Sequence, residues 1–162
     1  MSQYTATISW SREGQKFTDN RYKRAHTWHF DGGETIRASS SPQVVPTPLS
    51  DSSAVDPEEA YVAALSSCHM LWFLSIAAKR GFIVEKYEDQ ATGRMEKNDI
   101  GKLAITEVKL YPHVTYHPDP DSAPTKKETD DMHHQAHKKC FIANSVKTEV
   151  KIESKMEVTA EK

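Results

Sequence analysis

Only 2 cysteines occur in 162 residues. That is too few for the disulfide framework of a small secreted domain, and too few for a four-cysteine zinc site. In a reducing compartment such a pair is of more interest as chemistry than as scaffolding. Charge of one sign is lacking too. With 21 basic and 23 acidic residues the net charge is −2, so no long-range field gathers phosphates or lipid headgroups, and nucleic acid is not a favoured partner. No run approaches the roughly 18 continuous apolar residues of a membrane span. The N-terminus, MSQYTATISWSREGQK, lacks the basic-then-apolar order of a signal peptide. These absences lead to the expectation of a soluble, cytoplasmic protein, and the length to a single domain over 1–162.

What is present alternates. Tyr4 to Trp10 interleaves small polar with apolar and aromatic residues and breaks at REGQ, as a strand followed by a turn does. RAHTWHF and DGGETIRA read as two strands around an Asp31-Gly32-Gly33 turn, so the N-terminal third is expected to be antiparallel sheet. Residues 38 to 55 carry Pro42, Pro46 and Pro48 among serines and read as an exposed loop.

A helix follows, from Asp56 to Gly81. Asp56 suits the cap, Pro57 the first helical position and Glu59 the acid of a capping box, while Lys79, Arg80 and Gly81 mark the stop. Between these ends almost every face is apolar, through Val62, Ala63, Leu65, Met70, Leu71, Trp72, Phe73, Leu74 and Ile76. Such a helix is expected to be buried all round, by sheet or by a partner chain. FIVEKYEDQATGRME and KLAITEVKLYPHVTYH, joined by KNDIG, read as a long hairpin. Thr125 to Cys140 reads as a second, more polar helix whose Met132, Ala136 and Cys140 share one face, and VKTEVKIESKMEV as one edge-type strand.

Each of the two helices therefore presents one thiol, Cys68 or Cys140. A free cysteine in an apolar helix is more often structural than reactive. A thiol reacts as thiolate, and burial opposes the charge unless a cation stands beside it. A reactive Cys68 thus calls for a buried arginine, and the arginine for a carboxylate. Glu58 in the first turn of the helix is the acid on offer, against an ordinary role in the helix dipole. Arg12, Arg21, Arg24 and Arg37 are the bases on offer in the preceding sheet.

These residues carry a resemblance. DPEEAYVAALSSC resembles the Asn-Pro-Glu-(Gln/Glu)-Leu-x-x-Ala-x-x-x-x-Cys helix of the OsmC/Ohr family of thiol peroxidases, and HKKCFIANSV resembles its second cysteine segment. The order of strands, helix, hairpin, helix and strand matches over nearly the whole chain. The resemblance implies an α+β fold with antiparallel sheets wrapped around two central helices in an intertwined homodimer. It also implies a reaction: Cys68 attacks the O–O bond of an organic hydroperoxide and becomes a sulfenic acid, which Cys140 condenses to a disulfide. A dithiol, in the family often a lipoyl group carried on a protein, then reduces that disulfide, and no cofactor is needed. The activating arginine is Arg24, seven residues before Asp31, if the chain follows the Ohr branch, or Arg37 if it follows the OsmC branch; Arg24 is preferred, held by Glu58.

His69 stands where the family commonly has an apolar or aromatic residue, no proline follows Cys140, and Asp56 replaces the asparagine. His133, His134 and His137 look like a solvated face, although His133 and His137 have the i, i+4 spacing of a helical metal pair. Trp10, Trp28 and Trp72 read as core aromatics. The alternative to a peroxidase is a non-catalytic dimer of the same fold that binds a small hydrophobic ligand between its helices.

Overall fold

Asp31, Gly32 and Gly33 make the first hairpin. In the computed structural model, which describes residues 1–159, Gly33 has φ 99°, a left-handed conformation that a side chain would strain. The Gly33 amide donates to the Phe30 carbonyl at 3.0 Å. The turn joins β2 (His26–His29) to β3 (Thr35–Ala38), and β1 (Thr7–Ser9) pairs antiparallel with β2 on its other side. Trp10 departs from the core role expected of it. It is 40 % exposed, its indole N–H donates to the Lys23 carbonyl, and its ring packs edge-on against Tyr22. The chain divides into two compact units, and this sheet with the turns of 38 to 55 belongs to the first, Met1–Ala60.

Helix α1 (Pro57–Lys79) begins as its cap residues dictate. The Glu59 amide donates to the Asp56 carboxylate at 2.8 Å, and the Asp56 amide reaches back to the Glu59 carboxylate at 3.5 Å. Gly81, at φ 82°, ends it.

The second unit begins at Tyr61. The long hairpin forms, but it is bent, so that one sequence-level hairpin supplies two sheets. Its strands are β4 (Val84–Asp89), β5 (Thr92–Lys97), β6 (Leu103–Leu110) and β7 (Pro112–Tyr116). Near the KNDIG turn β5 pairs with β6, and beyond the bend β4 pairs with β7. Asp89 holds the bend: its carboxylate accepts the Tyr111 amide at 2.6 Å and the Ser66 hydroxyl of α1 at 2.5 Å. Helix α2 (Lys126–Lys139) follows, with a capping box between Thr125 and Glu128, and then the single turn α3 (Phe141–Asn144). The C-terminal segment expected as one strand is two, β8 (Glu149–Ile152) and β9 (Lys155–Val158). β8 runs parallel to β6 and β9 parallel to β7, so the sheets β5-β6-β8 and β4-β7-β9 are mixed, where antiparallel sheets were expected. The α+β class holds.

Two apolar clusters follow from the bend. Leu65 near the start of α1 packs with Val108 and Leu110 of β6, while Phe73, Ile76 and Ala77 pack with Val114 and Tyr116 of β7 and with Met132 and Ala136 of α2. Along α1 the buried residues are Leu65, His69, Phe73, Ile76 and Ala77, one stripe at helical spacing. One chain does not bury the helix all round by itself: Leu71 remains 61 % exposed. By length and composition α1 is also apolar enough to cross a membrane, and 28 % of its most apolar window is buried.

Candidate thiol site

Next to the buried stripe of α1, Ala64, Ser67, Cys68, Leu71, Trp72 and Ser75 form a second stripe, offset by about one residue or 100° around the helix. With Phe141 and Ile142 of α3 they line an open apolar cavity of about 530 Å³. Trp72 and Phe141 meet edge-on, with centroids 5.4 Å apart, and Lys139 Nζ lies 5.3 Å from the Trp72 ring at the rim. Cys68 is half-buried on this wall.

Cys140 is brought to the same place by two helix ends. It closes α2, donating its backbone N–H to the Ala136 and His137 carbonyls, and it caps α3, where its Sγ accepts the Ala143 amide at 3.4 Å. Its position four residues after Ala136 and eight after Met132 puts it on the buried face of α2, as its spacing predicts. Burial pushes its thiol up to about 11, and the nearby Cys68 thiol adds to the rise. Both thiols are free, and Phe141 and Ile142, which follow Cys140, share the cavity wall with Cys68.

The arginine and the carboxylate are not joined. The Arg24 guanidinium lies 3.7 Å over the Tyr22 ring and donates to the Tyr22 carbonyl and, at 3.0 Å, to the Asn20 carbonyl. Arg37 is exposed and pairs with Asp51 at 3.3 Å and the Ser53 hydroxyl at 2.7 Å. Ser53, through its hydroxyl and its amide, holds the Asp51 carboxyl below its ordinary value, with Arg37 adding to this. Glu58 Oε2 is buried and has no hydrogen-bond partner among the described residues.

His69 is fully buried, and its Nε2 meets Nδ1 of His133 at 2.9 Å. His133 therefore belongs to the interior and not to the solvated face expected of it. The signal was present in the sequence: with Thr129, Met132, Ala136 and Cys140 it completes one face of α2. Burial lowers both rings below the ordinary value of 6.5, to about 4 for His69 and about 3 for His133, and each is further lowered by a neighbouring histidine. His134 is exposed, and no group of three or more metal-donor side chains converges among the described residues.

The OsmC-like protein family profile matches residues 50–155, the stretch holding α1, the bent hairpin and both cysteines. The chain belongs to the OsmC family. An OsmC-like protein of unknown function from Vibrio cholerae is 56 % identical, with a TM-score of 0.92 over 95 % of this chain and 99 % of that one. An organic hydroperoxide resistance protein from Elizabethkingia anophelis, with thiocyanate bound, is 14 % identical, with a TM-score of 0.69 over 98 % of each chain. An organic hydroperoxide resistance protein from Legionella pneumophila is likewise 14 % identical, with a TM-score of 0.65 over 98 % of each chain. At these identities the last two attest the shared OsmC fold alone. Among curated proteins no relative matches.

Proposed function

We propose that this OsmC-family protein is a thiol-dependent peroxidase that reduces organic hydroperoxides in oxidative stress defence. The observation that carries the reading is the nearness of Cys68 to Cys140, whose neighbours Phe141 and Ile142 share the wall of an apolar cavity with Cys68. Each feature has a use in that chemistry. The cavity suits an organic group attached to the peroxide. Cys68, half-buried on the cavity wall, is the sulfur that attacks the O–O bond. As thiolate its electron pair bonds the distal oxygen while the O–O pair leaves on the proximal oxygen, giving Cys68 sulfenic acid and an alkoxide that takes a proton from water, in place of the one the thiol released, and leaves as the alcohol. Cys140, buried and holding its proton, is the sulfur that waits. It displaces the sulfenic hydroxyl, its proton leaves with that hydroxyl as water, and the disulfide forms. A dithiol, such as a lipoyl group on a protein, restores both thiols by exchange. The organic hydroperoxide resistance proteins that share the fold agree with this reading in their names.

The working unit in this proposal is a homodimer in a reducing cytoplasm. What supports it is the open outer face of α1, apolar and uncovered at Leu71; a second copy of the chain covers that face.

The test is substitution at each sulfur. Cys68→Ser is expected to abolish consumption of cumene hydroperoxide. Cys140→Ser is expected to react once and then climb to sulfinic acid, because its sulfenic acid has no thiol to meet. Full consumption by Cys68→Ser would overturn the reading. It would leave the cavity as a binding site for a small hydrophobic ligand, the role of a non-catalytic dimer.

A further inference from the structure

His69 and His133 are buried to 1 % and 3 % exposure. Their rings lie parallel within 8° with centroids 5.2 Å apart, and Phe73 stacks on His133 at 4.2 Å. The Nε2 to Nδ1 bond of 2.9 Å ties α1 directly to α2. The outer nitrogens, His69 Nδ1 and His133 Nε2, have no hydrogen-bond partner among the described residues. Whichever ring donates, one outer nitrogen is an unpaired acceptor and the other an unpaired donor. Burying both is costly. A leucine and a phenylalanine would fill the same space without that cost, so stability alone does not account for the pair.

Position supplies an account. His69 is the residue after Cys68, and His133 lies seven residues, about two turns, before Cys140 on the same face of α2. This buried side-chain hydrogen bond between the helices thus lies one residue from Cys68 along α1 and about two turns from Cys140 along α2. Disulfide formation demands a narrow geometry, with the sulfurs closing to about 2.05 Å at a dihedral near 90°. A slide of one helix on the other would miss it.

We propose that the inner His69–His133 hydrogen bond is a positioning device for the resolving step: it fixes the register of α1 on α2 so that Cys140 meets the Cys68 sulfenic acid. This rests on the peroxidase reading for its physiological role, and the geometry can be tested without it. The histidines touch neither substrate nor sulfur in this account; they act through the two helices.

The amide side chains separate the inner bond from the outer nitrogens. Gln at 69 places an amide where Nε2 stands, and Asn at 133 places one where Nδ1 stands, so His69→Gln and His133→Asn keep the inner bond and delete the unpaired outer atoms. His69→Phe and His133→Phe keep an aromatic ring and delete the bond. Each full-length, pre-reduced protein is mixed at neutral pH with one equivalent of cumene hydroperoxide. Peroxide loss, dimedone-trapped sulfenic acid and disulfide are followed in time. A parallel arm uses diamide, a two-electron thiol oxidant that needs no peroxidase chemistry. With cumene hydroperoxide all variants are expected to lose peroxide at the wild-type rate. The Phe variants are expected to accumulate sulfenic acid and close the disulfide about tenfold more slowly, or worse, and the Gln and Asn variants to stay within about threefold of wild type. The same order is expected with diamide. Wild-type closure in the Phe variants, or closure in the amide variants as slow as in the Phe variants, overturns the proposal. Should the Phe variants not fold, the double variant His69→Gln/His133→Asn decides: closure within about threefold supports the inner bond, and tenfold slower closure overturns it. Failure of the peroxidase reading is distinct, since it appears as no peroxide loss in any protein while the diamide arm still ranks the variants.

Discussion

Arg24 rests on Tyr22 and Asn20, while a carboxylate oxygen of Glu58 lies buried without a partner. A buried acceptor in that condition favours any cation that can reach it. Arginine suits the task, because it stays charged when buried and its planar fork can bond a carboxylate while facing sulfur. We propose that Arg24 leaves Tyr22 and Asn20 for Glu58 in the working protein: Arg24→Ala is then expected to slow iodoacetamide alkylation of Cys68 at pH 7 by roughly tenfold, and Glu58→Ala to slow it less, because the arginine keeps its charge but lacks that carboxylate. Arg37→Ala is expected to change little, since its exposed guanidinium is held by Asp51 and Ser53. A slowing confined to Arg37→Ala would contradict this assignment. At this scale the sequence was legible where a residue's type fixed its partner locally. Asp56, Pro57 and Glu59 announce a cap and form one, and Cys140 announces a buried face. His69 and His133 were not legible, because their bond spans 64 positions and no local pattern links them.

Between elements, the same two histidines make the packing of α1 on α2 sensitive to pH. The groups that act on them are His137, Asp130 and Lys126 from α2, with Tyr87 of β4 packed beside His133. Burial holds both rings below 6.5, to about 4 and about 3, so over that interval the unfolded chain binds protons that the folded chain does not. The stability the neutral pair contributes is complete above 6.5 and is lost as pH falls toward about 4. Urea unfolding is expected to show wild type losing on the order of 4 kcal/mol more than His69→Gln/His133→Asn between pH 7.5 and pH 5, about 2 kcal/mol for each ring. Equal losses would mean that the rings protonate in the folded protein. Period and breakers made the helices and the hairpin readable, but the bend was not. It depends on Asp89 joining the Tyr111 amide to Ser66 of α1, a tertiary contact inside an unbroken alternating pattern. The split of the last strand into β8 and β9 follows the same bend, since each half pairs in parallel with a different arm of the hairpin.

For the whole molecule, the apolar face of α1 that the chain leaves uncovered sets the expected assembly. The uniform apolar composition of that helix was plain in the sequence, and burial all round was its simplest reading. In one chain only the stripe from Leu65 to Ala77 is covered. Light scattering at micromolar concentration, in buffer without detergent, is expected to give twice the chain mass; a stable monomer would remove the partner from the account. The reaction proposed for Cys68 and Cys140 is tested by counting thiols. The reduced protein has 2 free thiols per chain. After one equivalent of cumene hydroperoxide and denaturation in a thiol-free buffer, titration is expected to find none, and both are expected to return on addition of a dithiol. Two thiols remaining after the hydroperoxide, or a loss that the dithiol does not reverse, would contradict it.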